Sequence, residues 1–229
     1  MERVKNKFKA VIFDMDGTII KTEHVWDQAM KEVLFSKGIK NFTEKQHKLL
    51  ESLSGIGLTK AAIVVKEEFK LVECVEELVG ESKQIACKLF ETGVEFIDGF
   101  ENFHKKLQQN MIPTSVATNA DQTSLNLLSR KLNLSKFFGE NIYCVEMIGN
   151  KAKPNPDIFL HAAKKLNVEP HECVVFEDSL FGFQAAKAAG MKCIAIKNGI
   201  NHKNLKLVNH AIDSYHEAEQ ALIKLFSKK

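Results

Sequence analysis

Apolar and polar positions follow two different rhythms along this chain. In the second half, short continuous apolar runs recur as "PTSVATN" (113–119), "IYCVEM" (142–147), "CVVFED" (173–178), "CIAI" (193–196) and the weaker "HAID" (210–213). A run of the same kind, "KAVIFDM" (9–15), comes near the start. Apolar runs of this length predict strands buried on both faces. The segments between the later runs have helical spacing. "DQTSLNLLSRKLNL" repeats apolar residues at Leu125, Leu128 and Leu132, and "NPDIFLHAAKKLNV" does so at Ile158, Ala162 and Leu166. "SLFGFQAAKAAG" ends on Gly190, as helices often do. Strands alternating with helices predict an α/β fold on a parallel sheet.

The stretch between the first two strand-like runs breaks that rhythm. "HVWDQAMKEVLFSKG" puts Val25, Trp26, Ala29, Met30, Val33 and Leu34 on one helical face. "TEKQHKLLESL", "LTKAAIVVKEEFK" and "ESKQIACKLFETG" are also helical, and no strand pattern appears among them. A helical bundle of that size is too long for a connection. It reads as an inserted cap over residues 23–92, with 1–22 and 93–229 forming the core domain. The crossings near 21–23 and 92–98, with Gly93 and Gly99, are expected to act as hinges for closure of the cap.

Composition narrows the function. At 229 residues, 45% hydrophobic and 27% charged, the chain is an ordinary globular sequence able to bury a core. Its net charge of +3 comes almost wholly from lysine, since arginine occurs only at positions 3 and 130. Bidentate reading of guanine is therefore nearly unavailable, and no nucleic-acid partner is expected. No window approaches a membrane span, so no membrane partner is expected either. Five cysteines without a C-x-x-C pair, three of them in apolar runs, fit a reduced, cytoplasmic protein. A monomer is the default expectation.

The chemistry gathers at the ends of the strands. Asp14 and Asp16 in "FDMDGT" close the first strand, and positions i and i+2 point the same way there. Both reach the crevice beyond the carboxyl edge of a parallel sheet, where such sheets bind ligands. Gly17 permits a close turn and Thr18 can cap the segment after it. Thr118 and Asn119 end the second strand, Lys153 precedes "PNPD", and Glu177 and Asp178 end a later strand, with Ser179 able to start a helix. Clustered carboxylates with no softer ligand nearby suit a hard cation, above all Mg²⁺. With a lysine and a hydroxyl, such a cation forms a clamp for phosphoryl oxygens. The eight histidines show no ligand spacing, and Trp26 fits the core of the cap better than a substrate platform.

"DMDGT", "ATN", "KPNPDIF" and "FEDSLFGFQAAKAAGM" together resemble the four motifs of the haloacid dehalogenase-like hydrolases, in order and over essentially the whole chain. The chain is most similar to the phosphatases and phosphomutases of that superfamily whose helical cap lies between the first and second motifs. The resemblance implies a Rossmann-like parallel sheet core with an inserted all-helical cap. It implies that Asp14 is the nucleophile and forms an aspartyl-phosphate, and that Asp16 is the general acid and base. It also implies Mg²⁺ held by the Asp14 carboxylate, the Asp16 carbonyl and Asp178, with Glu177 either on the metal or one contact removed. Thr118 and Lys153 would hold the phosphoryl oxygens, and Asn119 would line the site.

The function expected is a Mg²⁺-dependent phosphatase of a small phosphorylated metabolite, of sugar phosphate or phosphoglycolate type. A sugar phosphomutase is the alternative, and an Asp-phosphorylated receiver-type switch a remote one. Where glucose-phosphate mutases carry a basic residue in a cap loop "GVSR", this chain reads "GIGL", with Leu58 at the basic position and Lys60 nearby. Trp26 falls where those mutases have a histidine. Dehalogenation is disfavoured, because relatives that attack carbon lack the counterparts of Asp16 and Asp178. The loop 54–60 is a candidate to touch substrate.

Overall fold

Six short strands run side by side in the computed structural model, which describes residues 7–53, 57–199 and 201–226. They are β1 (Ala10–Phe13), β2 (Thr114–Thr118), β3 (Ile142–Cys144), β4 (Cys173–Glu177), β5 (Lys192–Ile196) and β6 (His210–Ile212). Their order across the sheet is β3-β2-β1-β4-β5-β6, and every neighbouring pair is parallel. The chain winds outward from β1 through β2 to β3, then returns to β4 on the other side of β1. The reversal of winding therefore lies between β1 and β4, and that is where a crevice opens at the carboxyl edge.

Each face of the sheet is buried for a reason visible in the pattern. Ala10 and Ile12 of β1 face the same side as Ala117 and Val175, under α8 (Asp157–Lys165) and α9 (Leu180–Ala188). Phe159, Ala162, Phe183 and Ala186 of those helices complete this layer. Phe13 points to the opposite side. There it stacks on Phe176 at 5.3 Å between ring centroids and meets Phe100 edge-on at 5.7 Å. Phe100, Phe103 and His104 come from α5 (Phe100–Gln109), and Tyr215 joins from the chain after β6. The strand end that carries Asp14 is thereby fixed by a fully buried aromatic side chain one residue before it.

All six expected strands form, five of them shorter than their apolar runs. The run 142–147 stays extended only through Cys144, and a 3₁₀ turn takes over at Val145–Ile148, ending at Gly149 with φ +71°. Helix α6 (Gln122–Leu132) follows β2 and is capped by the Asp121 carboxylate on the Ser124 N–H. Helices α5, α7 (Ser135–Phe138) and α10 (Ala218–Phe226) were not anticipated from the pattern.

The described residues divide into two units, one running to Lys21 and resuming at Glu95, the other being Thr22–Val94. The second unit consists of α1 (Glu23–Ser36), α2 (Glu44–Ser52), α3 (Leu58–Phe69) and α4 (Val75–Thr92). Met30, Val33, Leu34, Leu50, Ala62, Val65 and Leu78 form its core, with Leu58 packed against it. Trp26 meets Phe90 edge-on at 5.7 Å within this unit. Helix α4 starts six residues before the pattern of 81–93 suggests. Cys74 and Glu77 make a reciprocal cap there, the Cys74 N–H donating to Glu77 Oε2 at 2.8 Å.

Candidate active site

The carboxyl ends of β1 and β4 bring three acids and one lysine to a single buried point. Asp14, Glu177 and Asp178 are each at most 6% exposed, and one oxygen from each lies within 4.8 Å of the other two. Lys153, 5% exposed, arrives from the loop before α8. Its ammonium donates to Asp14 Oδ1 at 2.5 Å and to Glu177 Oε1 at 2.8 Å, and lies 4.6 Å from the Phe159 ring centroid. Three carboxylates against one ammonium leave a formal charge of −2 on four buried side chains. Such an imbalance is costly without a further cation.

The site's electrostatics reflect that count. Burial pushes the Asp14 carboxyl up to about 7, the Lys153 ammonium pulling it down while Glu177 and Asp16 push it further up. Burial alone would lower the Lys153 ammonium. The two carboxylates touching it outweigh that effect and hold it well above the ordinary lysine value.

Glu177 and Asp178 are neighbours with different duties. Glu177 Oε2 accepts from the Asp178 N–H and the Ser179 N–H, both at 2.7 Å, and from Ser179 Oγ at 3.0 Å. With Lys153 on Oε1, its carboxylate has four donors. Ser179 Oγ accepts in turn from the Gly182 N–H, capping α9 as the sequence suggested. Asp178 has neutral donors instead: Thr18 Oγ1 on Oδ1 and Asn198 Nδ2 on Oδ2, each at 3.1 Å.

Two glycines make room for these carboxylates. Gly17 has φ +72°, and a Cβ there would lie 2.3 Å from Asp178 Oδ2. A Cβ on Gly182 would lie 1.7 Å from the Glu177 carboxyl carbon. Any other residue at either position would push an acid out of place.

The other expected residues sit around this cluster with distinct partners. Asp16 is half-buried in the turn after β1, where its backbone bridges to Ile20. Thr118 is buried at the end of β2, its Oγ1 accepting from the Ala120 N–H at 3.0 Å, which leaves the hydroxyl proton to donate. Asn119 is exposed and uses Oδ1 to accept the Lys153 N–H at 3.0 Å, so it orients the lysine's loop. Thr18 does not cap a helix: its hydroxyl is turned onto Asp178, and its carbonyl accepts from Tyr215 Oη at 3.1 Å. The 54–60 loop is only partly described, because Ser54, Gly55 and Ile56 lie outside the described residues.

Residues the sequence did not single out also serve this point. Asn198 and Asn201 come after β5 in "KNGIN", at the same edge of the sheet as the acids. The rule that picked out the ends of β1, β2 and β4 applies equally to the end of β5, and it is the signal that finds them. Among the described residues no helix is long and apolar enough to cross a membrane. The five cysteines form no disulfide with one another.

Comparison with known proteins agrees with this geometry. Residues 11–196 match the haloacid dehalogenase-like hydrolase family. A phosphorylated carbohydrates phosphatase of Thermotoga maritima is 31% identical over 189 residues, which cover 81% of this chain and 83% of that protein. A bifunctional riboflavin kinase/FMN phosphatase of Arabidopsis thaliana is 31% identical over 84% of this chain, but the match spans only 49% of that longer protein. Among solved structures, a HAD hydrolase of family IA, variant 3, from Entamoeba histolytica superposes with a TM-score of 0.82. It is 26% identical, with 95% of this chain and 98% of that one covered.

Proposed function

The chain belongs to the haloacid dehalogenase-like hydrolases, and from that premise we propose that it is a Mg²⁺-dependent phosphatase. Its substrate would be a small phosphorylated metabolite, of sugar phosphate or phosphoglycolate type, and an aspartyl-phosphate would form on Asp14. The observation that carries this reading is the buried cluster of three carboxylates around Lys153. Its donors are all oxygens, as a hard divalent cation requires. Its formal charge of −2 is what such a cation neutralises. Asp14, Asp178 and the Asp16 carbonyl would hold the ion, and when bound it would offset charge on the phosphoryl oxygens. Glu177, with four donors already on it, serves to anchor Lys153 and stays off the metal.

The chemistry is divided among these residues. Lys153 and the Thr118 hydroxyl bind phosphoryl oxygens, and the lysine also pulls the Asp14 carboxyl down against the rise that burial imposes. Asp14 attacks phosphorus while the bond from phosphorus to the ester oxygen breaks, and Asp16 protonates that oxygen as it leaves. Asp16, now ionised, takes a proton from water. That water attacks phosphorus, breaking the bond to Asp14 and releasing inorganic phosphate.

Hydrolysis is favoured over mutase chemistry by Leu58. A mutase must grip a second phosphate, and the residue at the basic position of the mutase loop is here an apolar side chain packed on its own unit's core. A relative named for dephosphorylating carbohydrates supports the same choice. The test is a panel of phosphorylated metabolites incubated with the protein and Mg²⁺, tracking inorganic phosphate and isomerised product in parallel. Phosphate release from a monophosphate without a bisphosphate activator is expected. Isomerisation of a hexose 1-phosphate outpacing phosphate release would overturn the reading.

A further inference from the structure

The loop after β5 is tied to Asp178 by a pair of asparagines that neither the motifs nor the proposed chemistry uses. The two are locked to each other: the Asn198 N–H donates to Asn201 Oδ1 at 3.2 Å, and the Asn201 N–H donates to Asn198 Oδ1 at 2.9 Å. With both amide oxygens accepting, the orientation of both side chains is fixed and their NH₂ groups point toward β4. Asn201, only 3% exposed, donates from Nδ2 to the carbonyls of Asp178 and Ile196, both at 2.8 Å. Its amide thus uses both N–H donors and accepts one bond on its oxygen. Asn198 donates from Nδ2 to Asp178 Oδ2 at 3.1 Å. Thr18, from the turn after β1, holds the other oxygen. Asp178 is thus gripped at its main chain and at both carboxylate oxygens, from the strands on either side of β4.

The Asp178 carboxylate receives one neutral donor on each oxygen, from Thr18 and Asn198, which meets part of a buried carboxylate's need for hydrogen bonds. What the clasp adds is a fixed plane for the carboxyl group, since χ2 of an aspartate is otherwise broad. Every donor in it is neutral, so the acid keeps its full charge toward a cation. Fixed ligand orientation matters most for Mg²⁺, which demands near-ideal octahedral geometry, and least for Ca²⁺, whose coordination is loose.

We propose that Asn198, locked by Asn201, is a positioning residue that fixes the Asp178 carboxylate for Mg²⁺ and so sets the preference for Mg²⁺ over Ca²⁺. This rests on the metal reading above, and the experiment separates the two. Mn²⁺ serves as a spectroscopic probe: its binding to the whole protein is measured by the loss of the free-ion electron paramagnetic resonance signal, and Mg²⁺ and Ca²⁺ are titrated in competition. Wild-type protein that binds no Mn²⁺ overturns the metal reading and this inference with it. If wild type binds, Asn198→Ala is expected to weaken Mg²⁺ by about 10–100-fold, the range typical of residues that orient a metal ligand. Ca²⁺ should weaken by no more than about threefold, given its tolerance of geometry. The ratio of the two affinities does not depend on how much of the variant is folded, so a destabilised sample still decides the matter. Equal losses for both ions would reduce Asn198 to a structural role, and Mg²⁺ affinity within about threefold of wild type would remove it altogether; either result overturns the proposal.

Discussion

Replacing Gly182 by alanine should cost far more than a helix position normally does. The first turn of α9 passes directly over the Glu177 carboxyl group, and the new Cβ would stand 1.7 Å from its carbon and from Oε1, and 2.3 Å from Oε2. Non-bonded carbon contacts settle near 3.5–4 Å, so the carboxyl group must retreat by roughly 2 Å. A side-chain tip in water would do this freely. This one is held by Lys153, two backbone N–H groups and the Ser179 hydroxyl at 2.7–3.0 Å, none of which tolerates such a shift. Hydrogen bonds to a charged group contribute about 1.5–3 kcal/mol each. Losing two of them costs about 3–6 kcal/mol, and the better helix propensity of alanine returns only about 1 kcal/mol. Retreat of α9 instead would unpack Phe183 and Ala186 from the layer under the sheet, at similar cost.

A net loss of about 3 kcal/mol lowers the midpoint of thermal unfolding by roughly 6–12 °C for a unit of this size. Calorimetry is the right assay, because the single tryptophan, Trp26, lies in the other unit and reports on that one. The control is Glu177→Ala, which removes the obstacle. In that background Gly182→Ala should be neutral or stabilising by up to about 1 kcal/mol. If the substitution is tolerated within about 1 kcal/mol in the wild type, or costs the same with and without Glu177, the collision is not the reason for the glycine.

Asp14→Asn should reduce phosphate release by about 10⁴-fold or more with the fold retained, since an amide cannot attack phosphorus; wild-type turnover in that variant would remove Asp14 from the nucleophile's role. Chelation should silence the enzyme, with Mg²⁺ restoring it better than Ca²⁺, and full activity in excess chelator would refute the metal requirement. His104, buried among Phe13, Phe100 and Phe138 with Nε2 on Thr114 Oγ1 at 2.9 Å, is held at about 4, mainly by burial. Because its folded value lies below the unfolded value near 6.5, stability should fall as the solution is acidified through that interval. The loss is about 2 kcal/mol between pH 7 and pH 5, and denaturant titrations of His104→Gln should lack that part of the slope.

The sheet was legible because parallel strands buried on both faces must read as continuous apolar runs, and all six did. The ends of those runs were equally readable, since a charged residue there must face the crevice. Legibility failed where a local signal was short. Helix α5 contains little more than Phe100, Phe103, His104 and Leu107 as an apolar stripe, with Glu101, Asn102 and two lysines between, and it packs into the aromatic layer around Phe13. Strand β3 gives way at Val145 to a 3₁₀ turn ending at Gly149, which the apolar run "IYCVEM" does not announce.

Side-chain duties were harder to read than positions. Glu177 and Asp178 look alike in "FED", and the sequence alone leaves either or both as metal ligands. What separates them is the direction of their side chains. At the strand end Glu177 curls back, with one oxygen under the N–H groups of Asp178 and Ser179 and the other on Lys153. Asp178, shorter and one residue later, projects from the edge of the sheet into the space left by the bare Gly17, between Thr18 and Asn198. Of the residues that enforce this division, Thr18 lies 160 residues from Asp178, and Asn198 and Asn201 lie 20 and 23 from it. Sequence periodicity reports on neighbours one or two turns away, so it can deliver each acid to the crevice but cannot say which oxygens are already committed when a cation arrives.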